Sequence, residues 1–145
     1  MTELSPADRI ALQNIMLEYA AAVDERDRDR YTRCFTEDVA VYNFSDKTFH
    51  DSESWVNYVW QALEQYSVTQ HLLGPQLATL ATTDAGQPCA LTRSDVQAMH
   101  VFKQSGERLT LWATYHTQMT LQDGQWRISR HELQVRDMQR SPATP

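Results

Sequence analysis

The chain has 145 residues, a length that suits one domain, and 41% hydrophobic content is enough to build a sizeable core. Its formal charge of -6 comes with no basic cluster, which excludes nucleic acid as an expected partner. Cys34 and Cys89 lie far apart with no CxxC spacing, so neither a disulfide framework nor a zinc site is signalled.

Ser5-Pro6-Ala7-Asp8 predicts a helix start, with Ser5 as N-cap, Pro6 at the first helical position and Asp8 placed as in a capping box. Ala11, Ile15 and Tyr19 then follow one row, and Leu12, Met16, Tyr19 and Val23 extend the apolar stripe until the sequence turns polar at Asp24. The alternating charges of Asp24-Glu25-Arg26-Asp27-Arg28-Asp29-Arg30 suit a solvated turn, after which Tyr31, Cys34 and Phe35 give the apolar side of a short second helix. Val39 to Phe44 is the first predicted strand. Asp51-Ser52 caps a third helix, in which Trp55, Val56, Val59, Trp60 and Leu63 recur at helical spacing.

From Val68 the pattern changes to long β segments, Val68 to Leu80, Pro88 to Lys103, Glu107 to Gln122 and Gln125 to Arg136. Turn residues separate them, most strongly Asp123-Gly124, and Gly74-Pro75 marks a kink within the first. These elements predict a single α+β domain over residues 1–145, with a core from about 5 to 137 and a disordered tail from 138 to 145. Three helices pack on one face of a curved, mainly antiparallel sheet. No basic, apolar leader and no membrane-length apolar run is present, so a cytoplasmic protein without membrane association is expected.

Alternate residues of a strand share a face, which sorts the histidines. His100 shares its side with Val96, Ala98 and Phe102, and Tyr115 with Leu109, Leu111 and Ala113. Both are expected to point inward, while His116 goes outward with Trp112 and Thr120. His131 shares parity with Leu133 and Val135 but not with Trp126 and Ile128, and is expected at the rim of a pocket. His71 shares a face with Leu73 just before the Gly74-Pro75 break. No H-x-x-x-H or H-E-x-x-H spacing occurs, and with only four glycines there is no phosphate loop. Neither a metal nor a nucleotide cofactor is implied.

Four local patterns occur together: Tyr19-x4-Asp24, the run Asp27-x3-Tyr31-x3-Phe35-x2-Asp38, Thr69-Gln70-His71, and Asp123-Gly124-x-Trp126-Arg127-Ile128. In these the chain resembles the SnoaL-like branch of the nuclear transport factor 2-like superfamily, over about residues 5 to 137. The resemblance implies a cone-shaped fold with three N-terminal helices on a strongly curved mixed sheet enclosing an apolar pocket. In its dehydratases and dehydrochlorinase an Asp and a His abstract a proton during elimination, and the matching positions here are Asp24 and His71. Tyr19 and Tyr42 match tyrosines of the bile-acid and scytalone dehydratases, and His100 falls near a second histidine of the latter. Val23 and Tyr115 depart from the scytalone enzyme, which has a tyrosine and an amide there, and this argues against a scytalone-type substrate.

The implied activity is that of a cofactor-independent lyase, a dehydratase of a hydrophobic cyclic molecule such as a steroid, terpenoid or polyketide-like compound. Asp24, His71, Tyr19, Tyr42 and His100 are the catalytic candidates, and Tyr115, His131, Val23, Trp60, Ala98, Phe102 and Leu133 the expected substrate-binding walls. Isomerisation or aldol cyclisation would begin with the same proton abstraction. A different class of reading is a non-catalytic ligand-binding or structural subunit of the same fold. Homodimerisation, common in the superfamily, is expected through the convex face of the sheet, at the row of Trp112, His116 and Thr120.

Overall fold

A computed structural model describes residues 1–144; Pro145, the last residue of the expected tail, lies outside the described residues. Three helices and seven strands form among them: α1 (Pro6–Asp24), α2 (Arg28–Thr32), β1 (Phe35–Phe44), β2 (Lys47–Phe49), α3 (Ser52–Leu63), β3 (Tyr66–Leu73), β4 (Leu77–Thr82), β5 (Pro88–Phe102), β6 (Arg108–Gln122) and β7 (Gln125–Ser141). The helix starts follow from their caps. Ser5 accepts from the Asp8 N–H while Asp8 accepts from the Ser5 N–H, and Asp51 accepts from the Ser54 N–H. No helix among the described residues is long and apolar enough to cross a membrane.

The strands form one sheet in the order β2-β1-β7-β6-β5-β3, with β4 pairing β5 beyond the end of β3. Only β1 and β7 run parallel; the other pairs are antiparallel. The predicted strand from Val68 to Leu80 is thus two strands on the same edge of β5, interrupted at Gly74-Pro75-Gln76. Pro75 has no N–H to give the ladder, while the Gly74 N–H still donates to the Asp95 carbonyl at 2.8 Å.

Three boundaries differ from expectation for reasons of pairing. Phe35 begins β1 rather than closing α2, because the Ile128 N–H donates to the Cys34 carbonyl at 2.8 Å and draws the chain into the sheet after one helical turn. The short strand β2 is added by a turn at Ser45-Asp46, both at positive φ (55° and 60°), which reverses the chain so that Phe44 faces Lys47. The last strand runs to Ser141 instead of Arg136, so residues 138 to 141 of the expected tail are ordered against Arg108–Leu111, and Arg140 stacks on Phe102 at 4.3 Å.

The helices cover one face of this sheet, and the core lies between the two layers. Leu12 and Met16 of α1, Trp55 and Val56 of α3, Val39 and Val41 of β1, Met119 of β6 and Ile128 of β7 are all 2% exposed or less. Burying a side chain of this kind stabilises the fold by roughly 1.5–3 kcal/mol. Two extra residues in β7, Ser129 and Arg136, lie opposite register shifts in β6. Each bulge reverses the in-out alternation and sharpens the bend of the sheet. This puts Trp126 and Ile128, and also His131, Leu133 and Val135, on the helix-covered side.

Candidate active site

Asp24 is the last residue of α1, and β3 passes beside it with Thr69, His71 and Leu73 facing the helix layer. The His71 Nδ1–H donates to Asp24 Oδ1 at 2.7 Å, and the His71 backbone N–H donates to Oδ2 at 2.7 Å. Thr69 adds its hydroxyl proton to Oδ1 at 3.0 Å. Burial by itself would raise the Asp24 carboxyl, but the His71 side chain and backbone hydrogen bonds, its charge and the Thr69 hydroxyl outweigh that and hold the group below its ordinary value. The carboxylate is therefore an anion at neutral pH, and a neutral His71 that gives Nδ1–H to it carries its lone pair on Nε2.

His71 opens into a cavity of about 420 Å³, within the range of small-molecule sites. Its walls come from both layers: Val23 and Tyr19 of α1, Tyr31 of α2, Trp55, Tyr58 and Leu63 of α3, and Tyr66, Leu109, Leu111, Tyr115 and Leu133 of the sheet. His100 also lines it, with ring centroid 5.9 Å from that of His71. Its Nδ1–H donates to the Leu109 carbonyl at 3.1 Å, and burial pushes its basicity down although that hydrogen bond opposes the shift. In its neutral form His100 therefore carries its free lone pair on Nε2.

A second polar group sits deeper. Tyr19, Tyr31 and Tyr115 are buried together, with the rings of Tyr31 and Tyr115 centred 4.9 and 5.4 Å from that of Tyr19. Burial pushes all three phenols well above their ordinary value, so they are proton donors at neutral pH. Behind them His131 is fully buried, with Nε2 3.0 Å from Tyr19 Oη and Nδ1 3.2 Å from Thr117 Oγ1. Desolvation lowers this histidine to about 3, and it stays neutral.

Of the residues singled out from sequence, Asp24, His71, Tyr19, His100, Tyr115, Val23 and Leu133 gather at or around this cavity. Five do not line it. Tyr42 alternates with the buried Val39 and Val41, so it faces the outer side, where the Arg130 guanidinium stacks 4.9 Å from its ring. Expected at the rim, His131 lies under Tyr19 because the Ser129 bulge turns it into the core. Trp60 packs on Tyr31 at 5.3 Å, Ala98 is buried opposite His71 in the β3–β5 ladder, and Phe102 packs between Tyr66 and Arg140.

Other wall residues escape a reading of the sequence. Tyr31 and Trp55 look like ordinary core aromatics at helical spacing, and Asn43, Ser45 and Asp46 enter the wall only through the β1–β2 turn. Thr69 enters the sequence reading only as the first member of Thr69-Gln70-His71, with nothing there to signal its hydrogen bond to Asp24. Among the described residues no three His, Cys, Asp or Glu side chains are grouped as a metal site would require.

A family model described as a SnoaL-like domain matches residues 5–132. No curated protein matches the chain. Among solved structures, a protein of Novosphingobium aromaticivorans provisionally assigned as a scytalone dehydratase superposes with a TM-score of 0.80 at 18% identity, over 94% of this chain and 92% of that one. A type 2 hexachlorocyclohexane dehydrochlorinase, LinA, gives 0.81 at 18% identity over 95% and 91%. A provisionally assigned aromatic ring hydroxylase of N. aromaticivorans gives 0.83 at 23% identity over 94% and 95%. At these identities the likeness is one of fold.

Proposed function

The chain belongs to the SnoaL-like domain family, and from that footing we propose that it is a cofactor-independent lyase, a dehydratase of a hydrophobic cyclic ketone bearing a β-hydroxyl. The observation that carries this reading is the 2.7 Å contact from His71 Nδ1 to Asp24 Oδ1 at the wall of an aromatic-lined cavity. A lone imidazole would have to develop its positive charge unaided, whereas this one does so against an anion already held by three hydrogen bonds.

In this mechanism His71 Nε2 takes the proton from the carbon next to the carbonyl, and the electrons of that C–H bond move toward the carbonyl oxygen. Tyr19, a neutral phenol at the cavity wall, hydrogen-bonds the developing enolate oxygen, with Tyr115 beside it. Collapse of the enolate forms the carbon–carbon double bond and breaks the bond to the β-hydroxyl. The proton held on His71 leaves with that hydroxyl as water, and the base is restored. The apolar walls favour a carbocyclic substrate over a charged one.

The test is mass-spectrometric: deuterium incorporation and water loss across a panel of cyclic ketones and β-hydroxy ketones, for wild type, His71→Ala and Asp24→Asn. Loss of both signals in both variants supports the dyad, and unchanged rates in both overturn it. Exchange without water loss points to an isomerase or cyclase using the same first step. A wild type that binds the ketones without exchanging them favours a non-catalytic ligand-binding module. We extend the proposal to a homodimer through the outer sheet face, where Leu72 and Leu91 are exposed on the same side as Trp112 and His116. Light scattering on the eluting protein should give about twice the chain mass of 16.8 kDa.

A further inference from the structure

Arg26, two residues beyond Asp24, belongs by sequence to a run of solvated charges. In the fold it turns inward. Its φ of 60° is left-handed, a conformation that costs an L-residue roughly 1–2 kcal/mol. That backbone sends the side chain back over the end of α1, where Nη1 donates to the Val23 carbonyl at 2.6 Å and to Thr69 Oγ1 at 2.8 Å. Thr69 is 5% exposed and has one hydroxyl proton. With Arg26 occupying a lone pair of its oxygen, that proton goes to Asp24 Oδ1, the oxygen that also receives His71 Nδ1–H.

The arrangement is poor as a purely structural device. Nη2 of Arg26 is buried with no partner among the described residues, and leaving a charged donor unsatisfied costs at least about 1–3 kcal/mol. A glycine would meet the backbone requirement without strain. What an arginine supplies here is a fixed direction for the Thr69 hydroxyl proton and a cation two hydrogen bonds away from the carboxylate.

We propose that Arg26 and Thr69 are positioning residues that lock the Asp24 carboxylate, and through it the Nδ1–H tautomer of His71. The proposal rests on the dyad reading. Arg26 sets the Thr69 rotor, Thr69 sets the Asp24 carboxylate plane, and Asp24 sets the imidazole. None of the relay's members before His71 needs to touch substrate.

The test uses full-length 15N-labelled protein with Thr69→Val, Arg26→Gly and Arg26→Lys, and Asp24→Asn as reference. Nitrogen NMR reads the His71 tautomer and its Nδ1–H proton without any substrate; deuterium exchange into 2-tetralone reads kcat and KM; thermal melting reads the fold. Wild type should show a single Nδ1–H tautomer. Thr69→Val and Arg26→Gly should show mixed tautomers and a kcat about tenfold lower with KM within about twofold. Arg26→Gly should keep its melting temperature, since glycine suits the left-handed φ, and Arg26→Lys should recover most of the tautomer signal. A single wild-type tautomer in both Thr69→Val and Arg26→Gly, in a protein where Asp24→Asn disturbs it, overturns the relay alone. An Asp24→Asn protein with an undisturbed His71 removes the dyad, and the relay with it.

Discussion

His71 and His131 both project from the sheet toward the helices, but His131 is hydrogen-bonded at both ring nitrogens and His71 at Nδ1 alone, and their surroundings differ in one decisive respect. Facing His71 is a carboxylate, with the imidazole 11% exposed at the wall of a cavity. Only a phenol and a threonine hydroxyl face His131, which is shut off completely. An imidazole can take up a proton where an anion compensates the charge and a substrate can reach it. Without either, the same ring is a neutral strut. The difference teaches that inward orientation identifies a candidate histidine, and the partner on its far nitrogen decides between base and core.

The sharpest way to break this comparison is to remove the two members of the charged pair. His71→Ala should cut turnover by roughly 10²–10⁴-fold with the fold intact, and Asp24→Asn should approach that loss. Far-ultraviolet dichroism checks the fold, and steady-state exchange checks turnover. An Asp24→Asn enzyme retaining wild-type kcat would mean that the carboxylate is only a helix-end group. Next in size is Tyr19→Phe, which removes one donor to the developing oxyanion and should lower kcat about 100-fold with little change in KM. A rise in KM at constant kcat would instead make Tyr19 a ground-state contact.

Much of this geometry was legible in the chain. Ser5, Pro6 and Asp8 specify the start of α1, Asp123-Gly124 specifies the β6–β7 turn, and the stripe ending at Val23 leaves Asp24 at a helix end facing the strand that carries His71. Tyr42 was legible too: the alternation that buries Val39 and Val41 puts it outside, and a family match argued the other way. What a period of two does not reveal is a bulge. A lone Ser129 inside a strand does not mark a bulge, so strict alternation puts Trp126 and His131 on opposite faces, and the register shift brings them to the same one. Arg26 was hidden for a different reason, since a left-handed arginine in a charged run has no sequence signature.

His131 gives a prediction about stability. Its folded value of about 3 lies below the ordinary 6.5, so the unfolded chain binds a proton there first as the pH falls. The stability it contributes is whole above pH 6.5 and is lost as the pH drops toward 3, at up to about 1.4 kcal/mol per pH unit. His100 is shifted in the same direction, whereas the lowered carboxylates begin to act only near and below 4.5 for Glu18 and 3.8 for Asp24, Asp8 and Asp51. Denaturant unfolding between pH 6.5 and 4.5 should therefore show wild type losing about 2–3 kcal/mol, and His131→Gln losing much less. Equal slopes would mean that His131 is reached by solvent protons in the folded state.

The smallest effect is expected at His100, and it sharpens the comparison most finely, because His100 shares the cavity with His71. It lies across the β3–β5 ladder from Thr69, holds its tautomer through the Leu109 carbonyl, and is kept neutral mainly by burial. No carboxylate faces its own ring nitrogens. If a partnered anion is what makes a base, His100→Gln, which keeps a polar acceptor at the wall, should change kcat no more than about threefold and act mainly on KM. Its exchange rate would be read beside that of His71→Ala on the same ketone. A loss at His100 as large as that at His71 would show that proximity to the substrate, and not the carboxylate, separates the catalytic histidine from the structural one.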